Sequence, residues 1–310
     1  MAPVRGSARD SRSWPRWFIP RSFRGLRRPR PGGASARATL HLGARFTVDD
    51  LARPLPLGAG AHQIVSLAPS CTECLLALGA GNRLLGVDDH SDLPELLAPV
   101  VRVGGFKDLD PVQVTRLAPD LVVAASLHAV SVLPRLEAQG TRVFVMVPRT
   151  VDGIVDGMAR LASVIGIAVE AAPYLASCRA RIAAVVDRTL RRRRRPLTYI
   201  EYSPEGHTGG PQSFLDDLVV KAGGLNLGGI ARVEWPVLQT AMVRRLNPDV
   251  IVIATYPGSA TRDSLVRRDG WDRLTAVKSG RVWELPAGMV KRPGPGMLEG
   301  LARLAEILAP

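Results

Sequence analysis

The segment Arg116-Leu-Ala-Pro-Asp-Leu-Val-Val is the most informative part of the sequence for the fold, because it recurs 129 residues later as Arg245-Leu-Asn-Pro-Asp-Val-Ile-Val. In each copy we predict that a helix ends at Leu117 or Leu246, since the Pro-Asp pair that follows prevents its continuation. The β-branched run after each Pro-Asp pair predicts a buried strand. A unit repeated in this way indicates two similar α/β lobes.

The echo continues downstream, where Gly140-Thr-Arg-Val-Phe and Gly280-Arg-Val-Trp precede matching strands. Apolar residues at helical spacing over 151–165 and 168–190, interrupted at Gly166, predict a long and stiff helical connector between the lobes. We therefore predict an α/β fold with two lobes and mainly parallel sheets. The predicted domains are a disordered Arg-rich tail at 1–45, an N-terminal lobe at 46–150, a helical linker at 151–195 and a C-terminal lobe at 196–310.

Charge is concentrated in the first 45 residues. The chain carries a formal net charge of +13, and residues 1–45 hold eleven arginines against one acid, Asp10. This tail mixes Arg, Pro, Gly and Ser with few apolar residues, so we predict that it is disordered. The remaining body is nearly neutral, which argues against specific nucleic-acid binding.

No export signal is visible in this sequence. A secretory signal needs a continuous apolar stretch of about 7 to 15 residues, and the longest near the start is the Trp17 to Ile19 triplet. Asp or Arg interrupts every later candidate for a membrane span. From these observations we expect a soluble, cytoplasmic protein.

Two short motifs lie around residue 70. Cys71-Thr-Glu-Cys74 has redox or metal-site spacing, but no second Cys or His pair completes a zinc site, so we interpret both cysteines as half-buried residues at a helix start. Ser70-Cys-Thr-Glu73 has the spacing of a capping box, and we expect that structural role. The alternative is a ligand contact made by Pro69 or Ser70 at the positive end of the helix.

The polar motifs of the chain do not indicate an enzyme. Gly206-His-Thr-Gly-Gly-Pro-Gln-Ser213 lacks the Gly-Lys-Ser/Thr of a nucleotide loop, so its glycines indicate a tight turn or a close backbone approach. The histidines at 62, 90, 128 and 207 have neither metalloprotease spacing nor a nucleophilic serine to serve. We predict no catalytic residue, no metal site and no cofactor.

Ligand sites in parallel sheets lie beyond the carboxyl ends of the strands, so two facing lobes would form a cleft between such loops. Aromatic residues are only 5% of the chain, yet Phe106, Trp235 and Tyr256 fall in these loops, which suits a flat or bulky ligand. We expect Trp283 in the core instead, since it occupies the strand position of Phe144. The candidate ligand-binding residues are Pro69, Ser70, His90, Phe106, His128, His207, Trp235, Tyr256 and Arg292.

A set of short motifs over residues 46–310 carries a family resemblance. The motifs are Phe46-Thr-Val-Asp-Asp, Ile64-Val-Ser-Leu-Ala-Pro-Ser with Thr72-Glu73, Leu78-Gly-Ala, Leu85-Gly-Val, Asp92-Leu-Pro94, Pro119-Asp-Leu-Val, Ser213-Phe-Leu, Ala222-Gly-Gly-Leu-Asn226, Pro248-Asp-Val-Ile and Arg292-Pro-Gly-Pro. In this order they resemble the class III binding proteins of bacterial ABC importers, the group that captures cobalamin, ferric siderophores or haem. The resemblance implies two Rossmann-like lobes, a long joining helix and a ligand held between the lobes, and we expect a monomer.

The resemblance also implies which positions face the ligand. These are the Pro69-Ser70 turn, the loops of His90 and Phe106, and the Trp235-Pro236 segment. Trp235-Pro236 resembles the cobalamin-binding branch, so a corrinoid such as cobalamin is the first expectation for the ligand. A ferric siderophore or haem stays open as an alternative.

One departure from the family concerns its partner, the ABC permease. Importer-bound members usually present a surface glutamate on each lobe, eight residues before the Asp of the Pro-Asp pair. Val112 and Ala241 occupy these places here, which removes the charges that guide docking.

Three hypotheses follow. The first is a solute-binding protein of a corrinoid or siderophore importer, for which the family implies a periplasmic or cell-surface location. The second is a cytoplasmic corrinoid- or tetrapyrrole-binding protein that no longer docks to a permease. The third, an enzyme of similar bilobal shape such as a chelatase, lacks a visible acid-base constellation.

Overall fold

The computed structural model describes residues 46–57, 60–97, 99–105, 108–125 and 133–309. The tail predicted to be disordered, residues 1–45, lies outside this part of the chain. Among the described helices, none combines the length and the apolar character that crossing a bilayer requires.

The first half of the described chain forms a parallel sheet preceded by a small antiparallel hairpin. Its strands are β1 (Phe46–Val48), β2 (Pro54–Pro56), β3 (Ile64–Ser66), β4 (Leu84–Val87), β5 (Val101–Arg102), β6 (Leu121–Ala125) and β7 (Val143–Met146), and its helices are α1 (Pro69–Ala77), α2 (Pro111–Arg116) and α3 (Leu133–Ala138). Strands β1 and β2 pair with each other, and the other five form one sheet in the order β5-β4-β3-β6-β7. All pairings within that sheet are parallel.

Two helices connect this sheet to a second one. They are α4 (Val151–Val164) and α5 (Ala168–Leu190), and the break between them falls at Gly166, whose φ of +75° favours glycine. The predicted interruption of the connector is therefore present.

The second sheet has the strand order β11-β10-β8-β9, again with parallel pairings only. Its strands are β8 (Leu197–Glu201), β9 (Leu225–Asn226), β10 (Val250–Thr255) and β11 (Val282–Pro286). The helices of this half are α6 (Phe214–Lys221), α7 (Thr240–Leu246), α8 (Arg262–Val266), α9 (Thr275–Lys278), α10 (Ala287–Val290) and α11 (Gly296–Ile307). The fold class expected from the sequence, α/β with two mainly parallel sheets, is confirmed.

The repeated sequence segment corresponds to a repeated turn in the structure. Ala118 and Asn247, at equivalent positions before the Pro-Asp pairs, both adopt a left-handed conformation with φ of +46° and +48°. The Asp120 carboxylate then accepts hydrogen bonds from the backbone N–H groups of His62 (2.8 Å) and Gln63 (3.0 Å), just before β3. These bonds lower the pKa of Asp120, with the His62 N–H as the largest cause.

The second copy repeats this arrangement. Asp249 accepts from the backbone N–H of Leu197 (2.8 Å) at the start of β8. Each aspartate thus satisfies a free amide where the neighbouring strand begins, which explains why the Pro-Asp pair occurs in both copies.

The expectation of a core position for Trp283 is wrong. Its register matches that of Phe144, because Phe144 pairs with Val123 and Trp283 with Val252. Phe144 is nevertheless fully buried, whereas Trp283 is 38% exposed and is covered by the guanidinium of Arg303, 5.8 Å from the ring centroid. The two lobes share strand pairing but differ in the layer that covers their edge strands.

One hydrophobic core runs through both halves of the molecule. Leu75 of α1, Met158 of α4, Leu218 of α6 and Leu301 of α11 belong to a single buried cluster, together with α5. Cys71, Cys74 and Cys178 are fully buried in this cluster, so the expectation that Cys71 and Cys74 are half-buried is wrong. Burial raises the pKa of Cys71 to about 12 and also raises the pKa of Cys74, so both thiols are protonated packing residues.

Candidate functional site

The start of α1 differs from the expected capping box. The helix begins at Pro69, a residue favoured at the first helical position, and Ala68 precedes it without a side-chain cap. Ser70 is therefore already inside the helix and caps nothing, and Glu73 accepts a hydrogen bond from Arg292 (2.9 Å) instead. Pro69 and Ser70 are half-buried near the carboxyl end of β3, where a ligand contact was the alternative interpretation.

Buried polar groups hold the loop of His90. The Asp88 carboxylate accepts from the His90 backbone N–H (3.1 Å) and from the Ser91 hydroxyl, and burial raises the Asp88 pKa. Arg102 donates to the carbonyl oxygens of Asp88 (2.8 Å) and Ser91 (2.7 Å). The His90 ring itself is exposed, with its Nε2 beside Gly105.

Two of the predicted ligand residues cannot be placed. Phe106 and His128 lie outside the described residues. The position of His90 next to Gly105 shows that the described part of the Phe106 loop approaches the His90 loop.

The glycine-rich loop after β8 supports the segment that carries Trp235. Gly210 donates its N–H to the Glu234 carbonyl (2.8 Å), and Thr208 donates to the Pro236 carbonyl (3.0 Å). A Cβ on Gly210 would overlap the carbonyl oxygen of Val233. The expected close backbone approach is therefore real, and its partner in this structure is the chain's own backbone.

His207 belongs to the same pair of loops. Its backbone forms an isolated bridge with Val237, and its ring Nδ1 is 2.8 Å from the Ser203 hydroxyl. The imidazole is half-buried. The described contacts of His207 thus fix the loop that precedes α6 beside the Trp235 segment.

Three rings form what we call the aromatic platform: Tyr202, Phe214 and Trp235. The Trp235 ring centroid lies 5.3 Å from that of Tyr202 and 5.1 Å from that of Phe214, in tilted arrangements. Trp235 is 38% exposed, while Phe214 is buried beneath it. Tyr202 directly follows β8, so the platform lies at the carboxyl end of the second sheet, where ligand sites of parallel sheets occur.

Tyr256 joins the platform through a lysine. The Lys291 ammonium lies 3.5 Å from the ring centroid of Tyr256 and 4.7 Å from that of Tyr202. The Tyr202 hydroxyl donates to the Lys291 carbonyl (3.1 Å). Trp235 and Tyr256, which are far apart in the sequence, are thus brought to one site.

Arg292 connects the two halves of the molecule. Its guanidinium lies 2.9 Å from the Glu73 carboxylate and 3.1 Å from the Asp92 carboxylate, both in the first half. Burial raises the pKa of Glu73, and the contact with Arg292 opposes that rise. The side chain that we expected at the ligand is engaged in a bridge between the lobes.

The candidate ligand-binding residues named from the sequence did not include Tyr202, Phe214, Lys291 or Glu73. Tyr202 carried a usable signal, because it stands at the carboxyl end of β8 in a parallel sheet. Lys291 is adjacent to Arg292 and could have been included with it. No sequence signal joins Glu73 to Arg292, because 219 residues separate them.

Two concavities occur elsewhere on the surface. One of about 460 Å³ lies between α1 and the α10–α11 segment and includes Glu73, Leu76 and Met289. The other, of about 430 Å³, lies beside Trp283 and Arg303. Of the predicted ligand residues that the structure describes, none lines either concavity. Within the described ranges, no cluster of His, Cys, Asp and Glu side chains is arranged to hold a metal ion.

Val112 and Ala241 are exposed at corresponding places in the two lobes. Val112 is the second residue of α2, and Ala241 is the second residue of α7. Both positions therefore present an uncharged side chain to solvent.

Comparison with known proteins gives consistent matches. A family profile described as periplasmic binding protein matches residues 64–288. An uncharacterized ABC transporter substrate-binding lipoprotein, YvrC of Bacillus subtilis, is 27% identical over 273 residues, which cover 85% of each chain. A cobalamin-binding protein of Halobacterium salinarum is 28% identical over 260 residues, covering 81% of this chain and 70% of the relative.

A solved structure shows the same fold. The periplasmic vitamin B12 binding protein BtuF of Vibrio cholerae superposes with a TM-score of 0.66 at 24% identity, covering 80% of this chain and 96% of that chain. The matched proteins are binding proteins rather than enzymes. The expectation of a cytoplasmic protein finds no support, because one relative is named a lipoprotein and the matching family profile is described as periplasmic binding protein.

Proposed function

Because this chain belongs to the periplasmic binding protein family, we propose that it captures a corrinoid between its two lobes for an ABC importer. Solute binding is common to the family, and the corrinoid is the specific part of the proposal. Relatives named as cobalamin-binding or vitamin B12-binding proteins support that choice. Haem or a ferric siderophore is the competing ligand, and several proteins of similar fold are titled haem-binding.

The exposed face of Trp235 carries the proposal. An indole that is 38% exposed above Tyr202 and Phe214 offers a rigid apolar surface at the carboxyl end of a parallel sheet. A corrin macrocycle is nearly flat and carries methyl groups among its amide side chains, so its face can pack on such a surface. Aromatic rings lose little entropy on binding, so the platform is preorganised for a large ligand.

Membership of the family also supports a proposal for the protein's partner and for its location in the cell. We infer that capture takes place outside the cytoplasmic membrane and that an ABC permease receives the ligand. Docking would then rely on contacts other than the two usual carboxylates, because Val112 and Ala241 are uncharged. Cell fractionation with an antibody against the chain tests the location, and recovery in the cytosol alone would contradict it.

The ligand is tested by titrating the full chain with cyanocobalamin, haemin and a ferric siderophore while tryptophan fluorescence is recorded. We expect cyanocobalamin to bind at about micromolar concentration or below, which corresponds to about 8 kcal/mol. Trp235→Ala should weaken binding about tenfold or more, as expected for a central aromatic contact.

Trp283→Ala is the matched control, because Trp283 is equally exposed but lies on β11 beside Arg303. It should leave the affinity unchanged. Preference for haemin or the siderophore would replace the corrinoid, and failure of all three to bind near micromolar concentration would contradict the binding site itself.

A further inference from the structure

The ammonium of Lys291 is an unusual feature of the aromatic site. It sits over Tyr256 at 3.5 Å and Tyr202 at 4.7 Å, and the side chain is half-buried. In the part of the chain that the structure describes, no carboxylate forms an ion pair with it. The neighbouring cation, Arg292, is by contrast paired with two carboxylates.

The charges around the Lys291 ammonium balance its positive charge only in part. Burial lowers the pKa of Lys291 to about 8; the charge of Glu205 opposes this change, and the charge of Arg292 adds to it. Glu205 is itself exposed, and a hydrogen bond from Ser203 lowers its pKa. Aromatic faces attract a cation, but they replace only part of the hydration that burial removes.

The geometry points to an anion-binding role: we propose that Lys291 binds the phosphodiester of a complete corrinoid, next to the macrocycle on the aromatic platform. This inference rests on the proposed function and deepens it. Cobalamin carries one phosphodiester, in the nucleotide loop below the corrin ring, and its ring periphery bears neutral amides. A cation beside Tyr202, which contacts Trp235, lies where such a loop would reach when the ring stacks on Trp235.

An anionic oxygen at Lys291 would improve the balance of charge. A charge-assisted hydrogen bond in a half-buried site is stronger than one between neutral groups. Binding would also favour the protonated lysine, so the ligand and the proton would bind together. The aromatic platform would then recognise the ring, and Lys291 would distinguish corrinoids with a nucleotide loop from those without one.

The test compares cyanocobalamin with cobinamide, which has the same corrin ring but no nucleotide loop and no phosphodiester. Lys291→Met should weaken cyanocobalamin binding about 10- to 100-fold and change cobinamide binding less than twofold. Lys291→Arg should keep most of the affinity for cyanocobalamin, because it preserves the charge. Lys278→Met, at an exposed lysine on α9, is the control and should change neither affinity.

The pH dependence supplies a second readout. The affinity of the wild type for cyanocobalamin should fall as pH rises from 7 to 9.5, through the lowered pKa of Lys291 near 8. Cobinamide affinity and the Lys291→Met variant should lack this dependence.

Other titratable groups around Lys291 do not account for the expected difference in pH dependence between the wild type and Lys291→Met. Burial raises the pKa values of Tyr202 and Tyr256, and the pKa of Arg292 is also raised, so all three keep their protons over this range. Glu205 stays ionised, because its pKa is lowered. Any contribution of His207 is shared by the wild type and Lys291→Met and cancels between them.

The outcomes separate the two proposals. Equal losses for both corrinoids in Lys291→Met, or no loss for either, would overturn the role of Lys291 and leave the corrinoid site intact. Failure of the wild type to bind either corrinoid would instead remove the proposed function, and the Lys291 proposal with it.

Discussion

Ala118 and Asn247 occupy equivalent positions in the two copies of the repeated turn, but the free-energy cost of their backbone conformation differs. Both have a positive φ, which an L-residue with a Cβ adopts at a cost of about 1 kcal/mol. Asn tolerates this conformation better than Ala, and Asn247 also exchanges two hydrogen bonds with Thr275, each 2.8 Å long. The first copy of the turn therefore carries strain that the second copy lacks.

Ala118→Asn should raise the free energy of unfolding by about 0.5 kcal/mol, because it relieves the left-handed strain at an exposed position. Asn247→Ala should lower it by about 1–2 kcal/mol, since the variant gains the strain and loses both contacts with Thr275. Urea denaturation of the two variants and the wild type measures both changes. If Ala118→Asn were less stable than the wild type, the positive φ at residue 118 would not be what destabilises this turn.

At the scale of elements, the loop between β8 and α6 acts as a support for the Trp235 segment. Its glycines are required where backbone meets backbone, as at Gly210 against the Val233 carbonyl. The glycines in the sequence predicted a close backbone approach in this loop but not which group makes it. Glycine indicates only that there is no room for a side chain, and does not identify the neighbouring group. The presence of the segment beside Tyr202 depends on this support.

Gly210→Ala should displace the Trp235 segment, because the new methyl group overlaps a backbone carbonyl that cannot move alone. We expect a loss of about 1–3 kcal/mol in stability and a weaker affinity for the ligand. Gly229→Ala is the control, since a Cβ there meets only the Asp216 carboxylate at 3.6 Å, an ordinary contact. Equal effects of the two variants on ligand affinity would show that the Gly210 contact does not position Trp235.

For the whole molecule, the decisive feature is that the two lobes share one core. The cluster that contains Leu75 and Met158 also contains Leu218 and Leu301, so α4 and α5 bury their apolar faces against both halves. Polar contacts add to this connection, as when the Asp217 carboxylate accepts from the backbone N–H of Val151 (2.7 Å). Ligand capture should therefore involve small adjustments of the lobes rather than their separation.

A shared core predicts one cooperative unfolding transition. Circular dichroism at 222 nm reports on helices throughout the molecule, whereas fluorescence of the fully buried Trp271 reports on the second lobe. We expect the two signals to give the same midpoint in guanidinium. Two separate midpoints would contradict the shared core and would indicate lobes that unfold independently.

The positions of the loops that carry Trp235 and Tyr256 were predictable in part. Trp235 and Tyr256 were expected near a ligand because they follow strands of a parallel sheet, and the structure brings them to one site through Lys291. Arg292 was expected at the ligand as well, but its charge is engaged by Glu73 and Asp92. The difference arises because a strand's end is a local feature, while the partner of a long charged side chain depends on the approach of the other lobe.

Local patterns of the amino-acid sequence predicted the repeated α/β unit, the helical connector and its break at Gly166, because periodicity, Pro-Asp pairs and glycine act within a few residues. The packing of distant segments, by contrast, leaves Trp283 exposed while Phe144 is buried, and it places Lys291 over two tyrosines with no ion pair to any described residue. These outcomes depend on which distant surfaces pack together, and burial and charge pairing are properties of that packing rather than of any single segment.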